Sequence, residues 1–352
     1  MEKKQSMKNT LAIIGATGFA LDRVVPALRN SRRCEVAAIQ GRNAERTRRA
    51  AQEFEIPHWY VDVEEMLGSK TYDAVYIATP PFLHLSDIET AMQHSLPIIC
   101  EKPLCVSLSE ALRIQALLRG KSAVAFMLAH HMRHQRALRE LRNAITQGRI
   151  GEVATVWIQW GYRLDTNEKT ASWKLDPARN GGGTFYDNGV HLVDLAIYLF
   201  GVPDTVATHS RSLRGAGSPG NEASVLTYGD AMAILSSSWN TPAPGNHLLI
   251  YGSRGKIEAF GGVGPGPIRT VYLTDEDGTR QLSFGSEDPL ELYRAEFENF
   301  FAVHVRGEKA ERGTTIDEAV NAIKILDCMQ ESSRKHQSVS FGRTTQSSEN
   351  GS

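Results

Sequence analysis

Glu101-Lys102-Pro103 closes a short apolar run, Ile98-Ile99-Cys100. If that run is a buried parallel strand, the acid and the base stand at its carboxyl end, where open parallel sheets bind ligands. A lysine held there, before a proline that narrows the backbone choices, can stabilise charge on an oxygen or exchange a proton. A solvated loop lysine is the simpler alternative. Further on, Asp187 precedes His191 by four residues, a spacing that places two side chains on one face of an α-helix. Such a pair can act as an oriented acid/base near neutral pH. Taken singly, Asp187 also reads as a helix cap and His191 as a packing histidine. His130, His131 and His134 make a third cluster. It lacks the partners and spacing of a zinc site, so no metal is expected and a polar pocket wall is the better reading.

These groups need elements to hold them. Thr10–Gly15 reads as a buried strand entering a glycine turn, Gly15-Ala16-Thr17-Gly18-Phe19-Ala20, with a helical pattern over Leu21–Asn30. Strand, glycine turn and helix in that order match a dinucleotide fingerprint, in which the turn admits a pyrophosphate to a helix N-terminus. Thr17 stands where the second glycine is expected. Glu35–Ile39 is the next strand, followed by Gln40-Gly41-Arg42-Asn43 and Arg46. No carboxylate ends that strand to hold ribose hydroxyls, whereas Arg42 and Arg46 offer guanidinium groups to a phosphate. NADP(H) is therefore expected over NAD(H), although Arg46 also belongs to a generally basic helix. Short strands at Trp59-Tyr60, Asp73–Thr79, Ile98–Glu101 and Ser122–Met127 alternate with helices, one of them begun by Ser107 as a cap with Glu110 three residues on. Thr79, Pro80, Glu101 and Lys102 should share one crevice. This rhythm predicts a doubly wound parallel sheet of the Rossmann type over residues 1–127.

The rhythm then changes. A helix over Arg136–Gln147 is followed by strands at Val153–Tyr162, Val225–Tyr228, Met232–Trp239, His247–Tyr251, Lys256–Phe260, Val271–Thr274 and Gln281–Phe284. Gly229-Asp230 is a hairpin signal. Strands without intervening helices indicate a large, mostly antiparallel sheet in an α+β domain over 128–340, with closing helices at Leu290–Val305 and Thr315–Lys335. One face of that sheet is free to pair with another subunit, which predicts a dimer or tetramer. Residues 341–352 read as a disordered tail. The formal charge of −1 over 352 residues argues against nucleic acid or an anionic membrane as partner. No apolar run is long enough to span a membrane, and the polar, basic start, Met1 to Asn9, is not a secretion signal. Cys34, Cys100, Cys105 and Cys328 form no framework; reduced thiols in the cytoplasm account for them.

Three motifs in order, the glycine turn, Glu101-Lys102-Pro103, and Gly181-Gly182-Gly183 followed by Asp187 and His191, resemble the Gfo/Idh/MocA family of NAD(P)-dependent oxidoreductases. The resemblance runs over roughly residues 10 to 340. It includes Ala78-Thr79-Pro80-Pro81 with His84, Gly148-Arg149-Ile150-Gly151-Glu152-Val153, and Trp173-Lys174-Leu175-Asp176-Pro177. His130–Arg133 and Gly41–Arg46 are similar to its 1,5-anhydro-D-fructose reductase subgroup. Lys174 stands where family members often have arginine.

The resemblance implies Lys102, Asp187 and His191 as the catalytic set, with Asp187 orienting His191. It implies cofactor contacts from Gly15, Thr17, Gly18, Phe19, Ala20, Arg42, Asn43, Arg46, Thr79, Pro80, His84, Glu101 and Lys102. A sugar or cyclitol would meet His130, Tyr162, Trp173 and Lys174. The reaction expected is hydride exchange with a hydroxyl or keto carbon, keto-sugar reduction favoured. The alternatives are an NAD-dependent sugar or cyclitol dehydrogenase, a non-catalytic NADP(H) sensor, and a redox-neutral relative that cleaves glycosides.

Overall fold

A computed structural model describes residues 8–120, 124–167, 171–212, 218–242, 246–264, 266–284, 288–309 and 313–342. Ser122 and Ala123, expected to open a strand, lie outside the described residues, as do Met1–Met7 and 343–352 of the expected tail. Phe341, expected within that tail, is instead packed: it is buried and its amide donates to the Asp204 carbonyl.

Six strands make the first sheet: β1 (Asn9–Ile14), β2 (Cys34–Gln40), β3 (His58–Tyr60), β4 (Ala74–Ile77), β5 (Ile98–Glu101) and β6 (Phe126–Ala129). All neighbours pair in parallel, in the order β3-β2-β1-β4-β5-β6. The order reverses between β1 and β4, which opens a crevice beyond their carboxyl ends. The middles of the strands are wholly apolar, as a sheet covered on both faces requires; Leu11–Ile14 and Ala74–Ile77 have no exposed surface. Ser107 caps the helix Leu108–Leu118 by accepting from the Glu110 amide, as its spacing predicts. The helix expected over Leu21–Asn30 begins with a wide π turn, Ala20–Val24, and only then becomes α-helical over Val25–Arg29.

The second sheet has nine strands: β7 (Val153–Gly161), β8 (Thr205–Ser212), β9 (Pro219–Tyr228), β10 (Ala231–Ser238), β11 (His247–Gly252), β12 (Lys256–Phe260), β13 (Thr270–Asp275), β14 (Gly278–Ser283) and β15 (Val339–Ser340). Their order is β14-β13-β12-β11-β7-β10-β9-β8-β15, antiparallel except for β7 with β10. Tyr228 pairs with Ala231 across the Gly229-Asp230 turn. One face is covered by the helices Val190–Phe200 and Ile316–Lys335, whose apolar side chains share a core with Val156, Leu226, Leu235 and Leu248.

The C-terminal chain does not stay with the second sheet. From the helix Pro289–Phe300 and the π turn after it, Phe297, Phe300 and Phe301 pack into the core of the first sheet with Leu11, Ile13 and Ile99. Ser31 donates to Glu298, and Arg33 pairs with Glu308 on the same seam. This return brings Tyr293 to the crevice.

Candidate active site

A cleft of about 430 Å³ runs from the glycine turn, past the ends of β4 and β5, to the second sheet. It collects Thr17, Gly18, Phe19, Thr79, Pro80, Glu101, Lys102, Tyr162, Trp173, Lys174, Asp187 and His191, all expected site residues. Gly15 sits beneath it. At φ +80°, a Cβ there would lie 2.7 Å from the Thr79 side chain, so glycine is what lets β1 and β4 close on each other. Gly18 has φ +40° and open space where a Cβ would be. Thr17 is absent from the positive-φ residues, so threonine fits the turn without strain. An unstrained turn with an open glycine, beside a cleft of this size, fits a dinucleotide.

Asp187 is the hub of the polar end. Its Oδ2 accepts from the Tyr162 hydroxyl at 2.5 Å, Lys174 Nζ at 3.0 Å and Trp239 Nε1 at 3.1 Å. Lys102 Nζ donates to the Asp187 carbonyl oxygen at 2.9 Å and lies 3.9 Å from Oδ1. Burial acts to raise the Asp187 carboxyl, but Lys174, Lys102 and the Tyr162 bond overcome it and hold the acid well below the usual range. Burial lowers Lys102, against the pull of Asp187 and Glu101, and Lys174 adds to the lowering. Glu101 is raised by burial, opposed by Lys102 and by the Tyr76 hydroxyl, which donates to it at 2.7 Å.

The expected Asp187–His191 partnership is not formed. Asp187 lies in a π turn, Phe185–Gly189, and His191 in the α-helix that follows. The Asp187 carboxylate is taken by Tyr162, Lys174 and Trp239, which leaves none of it for the imidazole. His191 instead packs between aromatic rings. His130 and His131 stand edge-on to it, at centroid distances of 5.4 and 5.1 Å, and Trp160 lies 5.0 Å away. Its Nδ1 is buried without a hydrogen bond. Burial first, then Lys102, His131 and His130, drives its pKa well below the ordinary value, so it stands as a neutral imidazole.

Three further expectations need correction. His130 does not face the cleft. It is buried behind His191, 3.7 Å from Asp194, which forms a two-pronged ion pair with Arg133; His131 takes the place at the wall. His84 is also fully buried and meets only carbonyl oxygens of Thr79, Pro103 and Leu104. Ala20 is buried in the core of the first sheet, because the π turn tucks its side chain inward. The Gly181-Gly182-Gly183 run serves packing: a Cβ at these positions would strike Tyr186, Gln330 and Pro219.

Asn43 and Arg46 border a second hollow of about 390 Å³ beside the helix Ala44–Glu53. Asn43 caps that helix through the Arg46 amide. Glu45 is tied to Arg48 and Arg49 at 2.9 and 2.7 Å. No such carboxylate holds Arg42 or Arg46 among the described residues. Arg23, His131, Trp160, Asn188 and Tyr293 also line the cleft, and Trp239 anchors Asp187, without having been expected. His131 lay within the cluster already noted. Tyr293 sits about 190 residues from Lys102 in sequence, and only the returning helix places it near Phe19 and His131, with ring centroids at 5.5 and 4.7 Å.

Comparison with known proteins agrees with this geometry. Residues 10–130 match the model of an oxidoreductase family with an NAD-binding Rossmann fold, and residues 138–258 match the GFO/IDH/MocA C-terminal domain. The chain is 28% identical to D-xylose 1-dehydrogenase (NADP(+)) 2 of Haloferax volcanii, over 91% of this chain and 96% of that protein. It is 27% identical to 1,5-anhydro-D-fructose reductase of Ensifer adhaerens, over 87% and 91%. Among solved structures, levoglucosan dehydrogenase in complex with NADH and levoglucosan superposes with a TM-score of 0.85 at 19% identity, covering 96% of this chain and all of that one. The chain belongs to the Gfo/Idh/MocA family of NAD(P)-dependent oxidoreductases acting on CH–OH groups.

Proposed function

We propose that the protein is an NADP(H)-dependent oxidoreductase of a sugar or sugar-like substrate, working chiefly as a keto-sugar reductase. The observation that carries this reading is one cleft in which a glycine turn and two strand ends meet Lys102, Lys174, Asp187 and His191. The relatives named for NADP(+) favour the same cofactor. So do Arg42 and Arg46, which stand where an NAD site carries an acid.

Thr17, Gly18, Phe19, Thr79 and Pro80 would hold the dinucleotide, with Arg42, Asn43 and Arg46 at its 2′-phosphate. When bound, the nicotinamide supplies or takes the hydride. The chain's own residues handle the proton and the charge. Lys102, fixed by the Asp187 carbonyl, donates to the substrate oxygen and steadies negative charge there. His191, neutral and beside Lys102, passes the proton in either direction. Asp187 pairs with Lys174 and favours the charged form of Lys102 against burial. Lys174 offers a donor to neighbouring hydroxyls, the Tyr162 oxygen offers an acceptor, and Trp173 offers a face to the sugar ring. Trp160, Tyr293 and Phe19 keep the far wall apolar, which limits water. An intact acid/base set favours an enzyme over a sensor. Cytoplasmic residence and assembly into a dimer or tetramer belong to the same reading; the four cysteines are unpaired, and no helix among the described residues is long and apolar enough to cross a membrane.

Fluorescence titration with NADPH and NADH tests the cofactor. Tighter binding of NADPH, lost in Arg42→Ala, is expected. Tighter binding of NADH would turn the reading toward an NAD-dependent sugar or cyclitol dehydrogenase. Lys102→Ala and His191→Ala are expected to bind NADPH but lose turnover on a panel of keto-sugars; full turnover in either removes that residue from the mechanism.

A further inference from the structure

His84 faces more acceptors than a neutral ring can serve. It opens the helix His84–Gln93 and is fully buried. Nε2 lies 2.8 Å from the Thr79 carbonyl oxygen, and Nδ1 lies 3.0 and 3.2 Å from those of Pro103 and Leu104. Carbonyl oxygens only accept, and a neutral imidazole has one N–H. In either neutral tautomer one ring nitrogen would turn a lone pair against a carbonyl lone pair at hydrogen-bond distance. A doubly protonated ring donates to all three.

We infer that His84 is held as an imidazolium and that this buried cation latches the end of β4 to the Lys102-Pro103 turn, positioning the catalytic lysine. Opposing forces act on the ring. Burial, the largest, and Lys102 draw its pKa below the ordinary value; the carbonyls of Thr79, Leu104 and Pro103 draw against them. The contacts decide the outcome, because discharging the ring does not merely weaken one side of the latch but makes it repulsive. The nearest acid on its own helix is Asp87, which burial pushes up to about 6 and which accepts at 2.5 Å from the hydroxyl of Thr79, the residue whose carbonyl meets Nε2. Lys102 is the charged side chain that acts on the ring.

Repulsion between His84 and Lys102 is reciprocal. A cation at His84 lowers the lysine toward the range in which it exchanges protons with substrate. The two strand ends are also tied through one ring, so Thr79, in the cofactor part of the cleft, and Lys102, in the chemical part, keep a fixed separation.

The charge is read directly by neutron diffraction from deuterated crystals of the full chain near pH 7. Deuterium on both Nδ1 and Nε2 is expected; deuterium on one alone overturns the proposal, whatever the cofactor or substrate. The link to Lys102 rests on the function proposed above and has its own readout. In His84→Gln and His84→Asn, checked for folding by thermal melting, the alkaline limb of the kcat/KM profile should move to higher pH by about one unit. An unmoved limb in a folded variant overturns the coupling. Absence of any keto-sugar turnover would count against the function instead and leave the neutron result to judge the latch.

Discussion

Asp187 is worth most as a charge shared among its neighbours. One carboxylate oxygen takes donors from Tyr162, Lys174 and Trp239, while the backbone oxygen of the same residue holds Lys102. Asp187→Asn keeps the shape and removes the charge. Lys102, already lowered by burial, then loses the partner that raises it, so its pKa falls further. The expected result is a kcat lower by roughly 10²-fold, with the lysine limb of the pH profile displaced to lower pH by about one unit. That is the opposite sign to the shift expected at His84. A limb that rises or stays would mean that Lys102 does not draw its charge from Asp187. Lys102, Asp187 and His191 were legible as candidates by type and place, although each taken singly also had a bland reading, and the fold brings all three to one cleft. Their partnerships were not legible. A four-residue spacing says nothing of a π turn, and Trp239 and Tyr293 reach the site only through strands and helices distant in sequence.

The helix that carries His191 is held at its start by an acid from another element. Glu222, on β9, accepts from the Phe185 amide at 2.8 Å and from the Ser210 hydroxyl at 3.0 Å. It is buried without an ion pair among the described residues, and burial pushes its pKa up to about 7, against its hydrogen bonds with Phe185, Ser210 and Thr184. A carboxyl raised from its unfolded value of 4.5 binds its proton more tightly in the folded protein. Its contribution is complete below about pH 4.5 and is lost as pH rises through about 7. Glu222→Gln keeps an acceptor for the Phe185 amide, donates its NH2 to the Ser210 oxygen in place of accepting there, and cannot ionise. It should melt like the parent at pH 4 and higher than the parent at pH 8, by an amount on the order of 3 kcal/mol at most. Equal melting at both values would mean that Glu222 ionises as freely folded as unfolded. Elements of this kind were partly legible. Apolar runs marked the buried strands, and Ser107 with Glu110 marked a helix start. β8 was missed because Thr205–Ser212 alternates threonine, histidine, serine and arginine with only two small apolar residues, so its pairing with β9 supplies what its pattern lacks.

At the scale of the molecule, the sequence shows two rhythms in succession, and the two sheets follow them. It does not show that the chain returns to the first sheet. Phe297, Phe300 and Phe301 have the same helical spacing whichever sheet they cover, and long-range packing alone chooses. The second sheet presents a related case, since alternation tells which residues share a face but not what covers it. Trp157 and Phe260 are 50% and 51% exposed on the face opposite the covering helices, and Met232, Tyr251 and Tyr272 also stand open. Trp157 pairs in register with Leu249 on β11 and Ile234 on β10, so an apolar row crosses the middle of the sheet, with the Lys256–Glu258 ion pair between it and Tyr272. Apolar patches of this breadth on a folded chain mark contact surfaces, and a flat sheet face is self-complementary under a twofold axis. The protein is therefore expected to run as a dimer or tetramer in light scattering coupled to size exclusion. Trp157→Glu with Phe260→Glu, both outward-facing, should shift it to monomer while leaving the circular dichroism spectrum unchanged. A parent that is monomeric at micromolar concentration would refute the expectation. An oligomer indifferent to both charges would place the interface elsewhere, because two buried carboxylates without partners are a cost that a sheet-to-sheet contact could not absorb.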